Sequence, residues 1–172
     1  MPSYDEGCAE CWVFTFKHGL LSPVAHDLRL RVGRFDVELD DAKTHVAARF
    51  DAGSVSVDVA MRDGVENPGA LSAADKHKIE QQIRGQVLRA ATYPSIAFRS
   101  RNLSARADGG YDVEGDLTLH GISRPLRCQT RLVAGRQELE VTLHQPDFGI
   151  EPFSALLGTL KLRSDVKVKL LI

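Results

Sequence analysis

Apolar and polar positions alternate most regularly between Tyr111 and Leu132, where they predict two antiparallel strands joined through Gly121. Apolar side chains fall on one face of each strand, and charged or hydroxyl side chains fall on the other. The outer face is mainly acidic on the first strand and basic on the second, so we expect pairing across the ladder. The inward positions are Tyr111, Val113, Leu117 and Leu119, followed by Leu126, Cys128, Thr130 and Leu132. Such a hairpin needs further strands to cover its apolar face.

The same period of two recurs along the chain and supplies those strands. The first of them has an unusually aromatic inner face, and the second begins at a histidine. Their predicted inward residues are Trp12, Phe14 and Phe16, then His26, Leu28, Leu30 and Val32. Further strands are predicted near residues 46–50, 55–61, 95–103, 139–143 and 166–170. Roughly eight to ten strands at spacings of about ten residues are typical of a sandwich or an up-and-down barrel.

The apolar phase shifts by one residue at Gly33 and Arg34, before the apolar set of residues 35–39 begins. This shift predicts a β-bulge in which Gly33 holds a backbone conformation that glycine adopts more cheaply than other residues. A bulge on glycine bends a long strand at the corner of a barrel. We therefore expect a closed or strongly coiled sheet.

One helix is predicted, over residues 72–91, between two of the strands. Ser72 can cap its first turn, with Asp75 at the capping-box position, and Tyr93-Pro94 follows its end. Its apolar stripe consists of Ile79, Ile83, Val87 and Leu88. We expect this stripe to cover one mouth of the barrel and to control access to the interior. The polar residues expected in solvent are Lys76, Lys78, Glu80, Gln81, Gln82 and Arg84.

Composition limits what these elements can build. A chain of 172 residues that is 43% hydrophobic and 26% charged is long enough for one well-cored domain. We expect residues 1–10 to form a tail and residues 11–172 to form the domain. Its 22 Lys and Arg against 23 Asp and Glu leave no strong field, so no nucleic-acid partner is expected. No apolar run approaches the ~18 residues of a membrane span, so stable membrane insertion is not expected either.

The amino terminus is acidic and has neither the basic nor the apolar segment of a secretory signal, which favours a cytoplasmic location. Three cysteines, Cys8, Cys11 and Cys128, are too few for a secreted disulfide framework and agree with a reducing compartment. The spacing of Cys8 and Cys11, with His18 and His26 nearby, leaves an alternative function, a small metal- or thiol-dependent enzyme or sensor. A lone cysteine pair beside a terminus is a weak signal for it.

Other candidates for chemistry are few. His26 and Asp27 are neighbours on a strand and point to opposite faces, so they cannot easily share a proton. His26 either closes the inner row or hydrogen-bonds a ligand head group, and His120 lies in a predicted turn. The sequence has no nucleophile elbow, no dinucleotide-binding glycine motif and no phosphate loop. These observations favour a protein without catalytic residues, a metal or a cofactor.

Three segments together resemble a known family: GDLTLHGISRPL at residues 115–126, YPSIAFRS at 93–100 and DFGI at 147–150. They resemble the YceI-like family of lipid-binding, lipocalin-like proteins, and they occur in that family's order across nearly the whole chain. The opening FKHGLLSPVAHDLRL resembles the start of one branch of this family. The resemblance implies an extended antiparallel barrel whose apolar lumen holds a long isoprenoid or another amphiphile. It implies no metal and no catalytic residue.

We therefore predict a mainly all-β protein, an extended antiparallel lipocalin-like β-barrel of about eight strands with one inserted α-helix. The predicted function is non-catalytic binding, storage or transport of an isoprenoid-like or other long amphiphilic lipid in the barrel lumen. The expected partner is thus a hydrophobic or amphiphilic small molecule. Whether the chain also pairs as a homodimer through an edge strand is open.

The size of the inward residues decides whether such a barrel is hollow. Small residues leave space for a ligand, whereas large aromatic ones would line or plug the interior, so a packed core is the alternative. The predicted lumen residues are Phe14, Phe16, His26, Leu28, Leu30, Val55, Val57, Ile79, Ile83, Phe98, Val113, Leu117, Leu119 and Phe148.

Overall fold

Strands dominate the computed structural model, which describes residues 1–18, 26–155 and 160–172. In this part of the chain the strands are β1 (Ser3–Asp5), β2 (Glu10–Thr15), β3 (Asp27–Val32), β4 (Phe35–Leu39), β5 (Val46–Asp51), β6 (Val55–Arg62), β7 (Val65–Glu66), β8 (Ser95–Ala105), β9 (Tyr111–Leu119), β10 (Ile122–Val133), β11 (Arg136–His144), β12 (Ser154–Ala155), β13 (Leu160–Lys161) and β14 (Asp165–Leu171). Helix α1 (Ala73–Gln82) continues as a π-helical segment over Ile83–Val87, and 3₁₀ turns cover Ala52–Ser54 and Gln145–Phe148.

All strands except β12 and β13 join one antiparallel sheet, in the order β1-β4-β5-β8-β9-β10-β11-β14-β2-β3-β6-β7. β4 and β5 pair near one edge of this sheet, whereas β3 and β6 pair near the other. The chain runs directly from β3 into β4, and from β5 into β6 through a single 3₁₀ turn. These two bent segments join the opposite edges, so the sheet curls into a barrel. The predicted fold class is confirmed, and counting each bent segment as one strand gives about eight long strands.

The bend at Gly33 is present, but its cause differs from the prediction. The amide of Gly33 donates to the carbonyl of Ser54 at 3.1 Å, and its φ is not positive. The conformation is therefore open to other residues, and the prediction of a glycine-specific bulge was wrong. The register shift lies instead between β3 and β6, where Leu30 pairs with Val57 but Arg29 pairs with Val59. Asp58 is the extra residue in β6.

The hairpin of β9 and β10 is confirmed. His120 and Gly121 form its two-residue turn with φ of 54° and 75°, the positive values of a type I′ turn. The expected pairing across the ladder is present, since Arg127 lies 3.0 Å from Glu114. Leu132 is an exception to the predicted inner face because its side chain is 51% exposed.

The helix begins as predicted and ends earlier. Ser72 and Asp75 form the capping box, each side chain accepting from the other's backbone amide. The α-helical part stops at Gln82, and the π-helical segment closes with the amide of Leu88 donating to the carbonyl of Ile83 at 2.8 Å. Arg89 then has a φ of 48°, which is outside the range of a right-handed helix, so the helix ends before this residue. The predicted end at residue 91 was therefore a few residues late.

Residues 1–10, predicted as a tail, contribute to the barrel. β1 pairs with β4, with Tyr4 opposite Val37, and Ala9 is buried at 3% exposure. Among the described residues, no helix has the length and apolarity needed to cross a membrane.

Candidate ligand-binding cavity

A cavity of about 1290 Å³ occupies the interior of the barrel. Typical small-molecule sites measure ~300–1,000 Å³, so this cavity is large enough for a long ligand. Its wall consists mainly of apolar side chains that alternate along the strands. The interior is therefore hollow, and the alternative of a packed core does not apply.

Small residues and one close packing contact keep the cavity open. Val13, Ala48 and Val55 lie on the wall at positions where larger side chains would project into the space. Gly115 on β9 makes room for Phe98 of β8, because a Cβ at residue 115 would lie 2.6 Å from the Cζ of Phe98. The Phe98 side chain lines the cavity.

Ten of the fourteen predicted lumen residues lie on this wall. They are His26, Leu28, Leu30, Val55, Ile79, Ile83, Phe98, Val113, Leu117 and Leu119. His26 directly precedes β3, and the other nine residues belong to β3, β6, β8, β9, α1 and the π-helical segment. The curl of the sheet brings these elements together around the cavity. Their contact with a ligand stays a prediction.

Phe14 is not on the wall, because the two faces of β2 were assigned the wrong way round. Cys11, Val13 and Thr15 line the cavity instead. Trp12 points outward, where the guanidinium groups of Arg29 and Arg31 lie 5.1 and 5.7 Å from its ring centre. Both faces of β2 carry apolar atoms, so the alternation alone does not decide which face is inside. The face with the smaller side chains, Cys11, Val13 and Thr15, is the one that lines the cavity.

Phe16, Val57 and Phe148 also lie off the wall. Phe16 follows β2 in the same outward phase as Phe14. Val57 is buried at 7% exposure in the core cluster against which the helix packs. Phe148 belongs to a second cluster with Leu117 and Leu119, where it is 5% exposed. These two side chains support the wall and do not form it.

Helix α1 and its π-helical continuation complete the wall. Ile79, Ile83, Val87 and Leu88 all face the cavity, in agreement with the predicted stripe. The prediction that this helix controls access to the interior stays a prediction.

Three polar residues of the helix bond the edge of β6, although the sequence placed them in solvent. Lys76 Nζ donates to the carbonyl of Asp58 at 2.7 Å, and the amide of Val57 donates to Glu80 Oε1 at 2.8 Å. Arg84 donates twice to the carbonyl of Val55, at 2.9 and 2.7 Å. Lys76, Glu80 and Arg84 are spaced four residues apart, and this spacing could have indicated that they share one face of the helix. On the side of β6 away from β3, only Met61 and Arg62 pair with another described strand, β7, so the helix side chains bond the remaining backbone groups there.

Polar lining residues that the sequence pattern did not predict lie mostly where strands and helices begin or end. Lys43 lies in the turn after β4, Arg136 and Gln137 begin β11, and Gln145 follows it. Lys78 and Gln82 extend from the helix. A cavity with an apolar middle and polar rims suits a long apolar ligand with a polar end.

The cysteines do not form a joint site. Cys11 is 2% exposed and faces the cavity, and burial raises the pKa of its thiol to about 12. Burial likewise raises the pKa of Cys128 to about 11. Cys8 is exposed, with its Sγ 3.7 Å from the carbonyl of Asp5. Within the described ranges, no three His, Cys, Asp or Glu side chains are grouped to hold a metal ion.

In the described part of the chain, an antiparallel barrel and one α-helix surround an apolar cavity, which is a lipocalin-like architecture. The model of the YceI-like domain matches residues 9–172, and the chain belongs to this family. No curated protein matches the sequence significantly.

Solved structures share the fold at low sequence identity. BcnA of Burkholderia cenocepacia is 16% identical with a TM-score of 0.67, covering 97% of this chain and 96% of its own. A polyisoprenoid binding domain from Saccharophagus degradans is 15% identical with a TM-score of 0.63, covering 95% and 91%. The YCEI protein of Campylobacter jejuni is 16% identical with a TM-score of 0.54, covering 91% and 87%.

Proposed function

We propose that this protein binds an isoprenoid-like or other long amphiphilic lipid in the barrel cavity, for storage or transport and without catalysis. The observation that carries the proposal is the 1290 Å³ cavity with its apolar wall. Transfer of apolar surface from water to such a wall contributes roughly 25 cal/mol per Å² buried, so a long chain gains most from it. Polar rim residues would bind the head group.

Two further observations support a binding protein. The similar domain from Saccharophagus degradans is described as polyisoprenoid binding. Burial raises the pKa values of the Cys11 and Cys128 thiols on the cavity wall, so the thiolate needed for covalent or metal chemistry is disfavoured at these two residues. Both agree with a ligand held by shape and apolar contact.

A matched pair of variants tests the proposal. Ala48 lines the cavity and its neighbour Ala47 is exposed on the outer face of β5. Ala48→Phe should fill part of the cavity and weaken binding of retinol, a fluorescent isoprenoid alcohol, whereas Ala47→Phe should bind like the wild type. Equal binding by all three proteins would place the probe outside the cavity and contradict the proposal.

Extraction of protein purified without detergent gives an independent test. Organic extraction followed by mass spectrometry should find a long-chain lipid in the wild type and much less in Ala48→Phe. Recovery of only water-soluble molecules, or of nothing bound, would count against a lipid carrier.

A further inference from the structure

The barrel wall is incomplete along β10, because this strand changes partner along its length. Residues 122–129 pair with β9, and the rest of the strand pairs with β11. In the described part of the chain, pairing between β10 and β11 ends at Thr130 and Leu139, although β11 continues beside β14. The facing sides of residues 122–129 and 140–144 therefore have no strand partner among the described residues. We call this gap in the wall the seam.

Apolar side chains border the seam on both sides. Leu126 and Cys128 of β10 and Val141 and Leu143 of β11 all line the cavity. Each of the four is half-buried. The seam is thus an apolar border continuous with the cavity wall.

A short turn fills one end of the seam where a strand ladder would otherwise lie. Phe148 and Ile150 are buried there, and Leu126 and Leu143 pack against their cluster. Across the seam, the side chain of Arg124 donates through Nε to the carbonyl of Asp147 at 2.9 Å. On the same turn, His120 Nδ1 lies 3.3 Å from the carbonyl of Phe148. This end is closed by side chains and these two polar contacts, and the described residues form no ladder of backbone hydrogen bonds between the two strands here.

We propose that the apolar chain of the ligand enters and leaves the cavity sideways through the seam, with the turn that carries Phe148 and Ile150 as its plug. This inference rests on the proposed function. Opening the wall between paired strands would break a row of backbone hydrogen bonds, whereas opening the seam breaks the Arg124 and His120 contacts and separates apolar side chains. The helix is bonded to β6 at three residues, which favours the seam as the entrance.

A covalent bridge across the seam tests the proposal. Arg127 and Thr142 are exposed and outward-facing, so a bridge between Arg127→Cys and Thr142→Cys leaves the cavity free. The matched control bridges Thr142→Cys to Lys167→Cys, which are already paired on β11 and β14. Both variants carry Cys8→Ser, and a short bifunctional thiol reagent forms each bridge. Stopped-flow fluorescence then measures retinol uptake.

Bridging the seam should slow uptake and release by about tenfold or more, whereas the control bridge should leave both rates unchanged. Equilibrium affinity should stay the same in both proteins, because the bridge changes the route and not the bound state. Unchanged rates in the bridged variant, with normal affinity, would overturn the seam proposal and leave the proposed function intact. Loss of retinol binding by the unbridged wild type would overturn both.

A second pair of variants does not depend on forming a bridge. Arg124→Ala removes the contact that ties the turn to β10, and should accelerate retinol release severalfold with little loss of affinity. Lys76→Ala removes the bond from the helix to the carbonyl of Asp58 and lies off the cavity wall, so it should leave the release rate close to that of the wild type. The reverse result, with Lys76→Ala fast and Arg124→Ala unchanged, would place the entrance at the helix and overturn the proposal.

Discussion

Gly115 lets β8 and β9 come together at the cavity wall. A Cβ added there would lie 2.2 Å from the carbonyl oxygen of Arg99. We therefore expect Gly115→Ala to lower the free energy of unfolding by about 1–3 kcal/mol through overpacking. Gly85→Ala is the control, because Gly85 lies in the helical segment with open space around it, and it should be neutral or stabilise by up to about 1 kcal/mol. Similar losses in urea denaturation of both variants would contradict this account.

Leu117 and Leu119 point into the barrel, where they are 6% and 9% exposed. Replacing either with Asp would put a charge without a partner against an apolar wall, so we expect each variant to fail to fold. Thr118 lies between them on the outer face, and its hydroxyl donates to that of Ser123 at 3.2 Å. Thr118→Asp should fold with nearly wild-type circular dichroism. A folded Leu117→Asp beside an unfolded Thr118→Asp would reverse the two faces of β9.

Glu138 makes stability depend on pH. Its carboxylate accepts from Lys169 at 3.0 Å and from Arg131 at 2.5 Å, and both contacts lower its pKa below the usual value for glutamate. Because the folded-state pKa is depressed, the stabilisation is complete above the unfolded-state pKa and is lost as pH falls through the folded-state value. Glu138→Gln should therefore destabilise the protein at neutral pH and lose that effect in acid.

Urea denaturation at several pH values would measure this difference, with Glu140→Gln on the same strand as a control. Glu140 is exposed and should contribute little at any pH. If the loss of unfolding free energy in Glu138→Gln stayed constant into strong acid, the charge of the Glu138 carboxylate would not be the cause of that loss.

At the scale of elements, the attachment of the helix to β6 depends on Glu80. Its carboxylate accepts from the amide of Val57, which is part of the buried core. Glu80→Ala would leave that amide unpaired, at a cost of about 1–3 kcal/mol in unfolding free energy. Glu80→Gln keeps an accepting oxygen and should lose much less. Hydrogen exchange should show the Val57 amide exposed in Glu80→Ala and protected in Glu80→Gln, and equal protection would contradict the contact.

The elements that sequence predicted best are those with a single strong pattern. In β9 and β10 the alternation of apolar and polar residues allows only one choice of which face is buried. His120 and Gly121 could adopt the positive φ values that a tight turn requires. Ser72 and Asp75 fixed the start of the helix for the same reason, since local hydrogen bonds decide a cap. Local chemistry was sufficient in these places.

Prediction failed where the outcome depends on distant parts of the chain. β2 carries apolar atoms on both faces, and the arginines that cover Trp12 come from β3. The bonds from Lys76, Glu80 and Arg84 require knowledge that β6 lies at an edge. The seam is likewise a matter of which strands pair, and the sequence of β10 alternates without a break.

For the whole molecule, the cavity couples ligand binding to stability. A ligand that binds the folded barrel and not the unfolded chain stabilises it by about 2.7 kcal/mol at a hundred times its Kd. Retinol should therefore raise the Tm of the wild type in differential scanning calorimetry and raise that of Ala48→Phe by less. An equal rise in both would show that the probe stabilises the protein from outside the cavity.

The position of β14 between β11 and β2 constrains when the barrel can form during synthesis. Trp12 pairs with Lys169, so β2 lacks one neighbour until the segment Asp165–Leu171 has left the ribosome. Strands this distant in sequence pair slowly, because the entropy of closing a long loop is lost before the contacts between them can stabilise the pair. The apolar side chains of β2 are therefore exposed to aggregation in the nascent chain. In pulse-labelled hydrogen exchange, the amides of the β9–β10 hairpin should gain protection before those of β2.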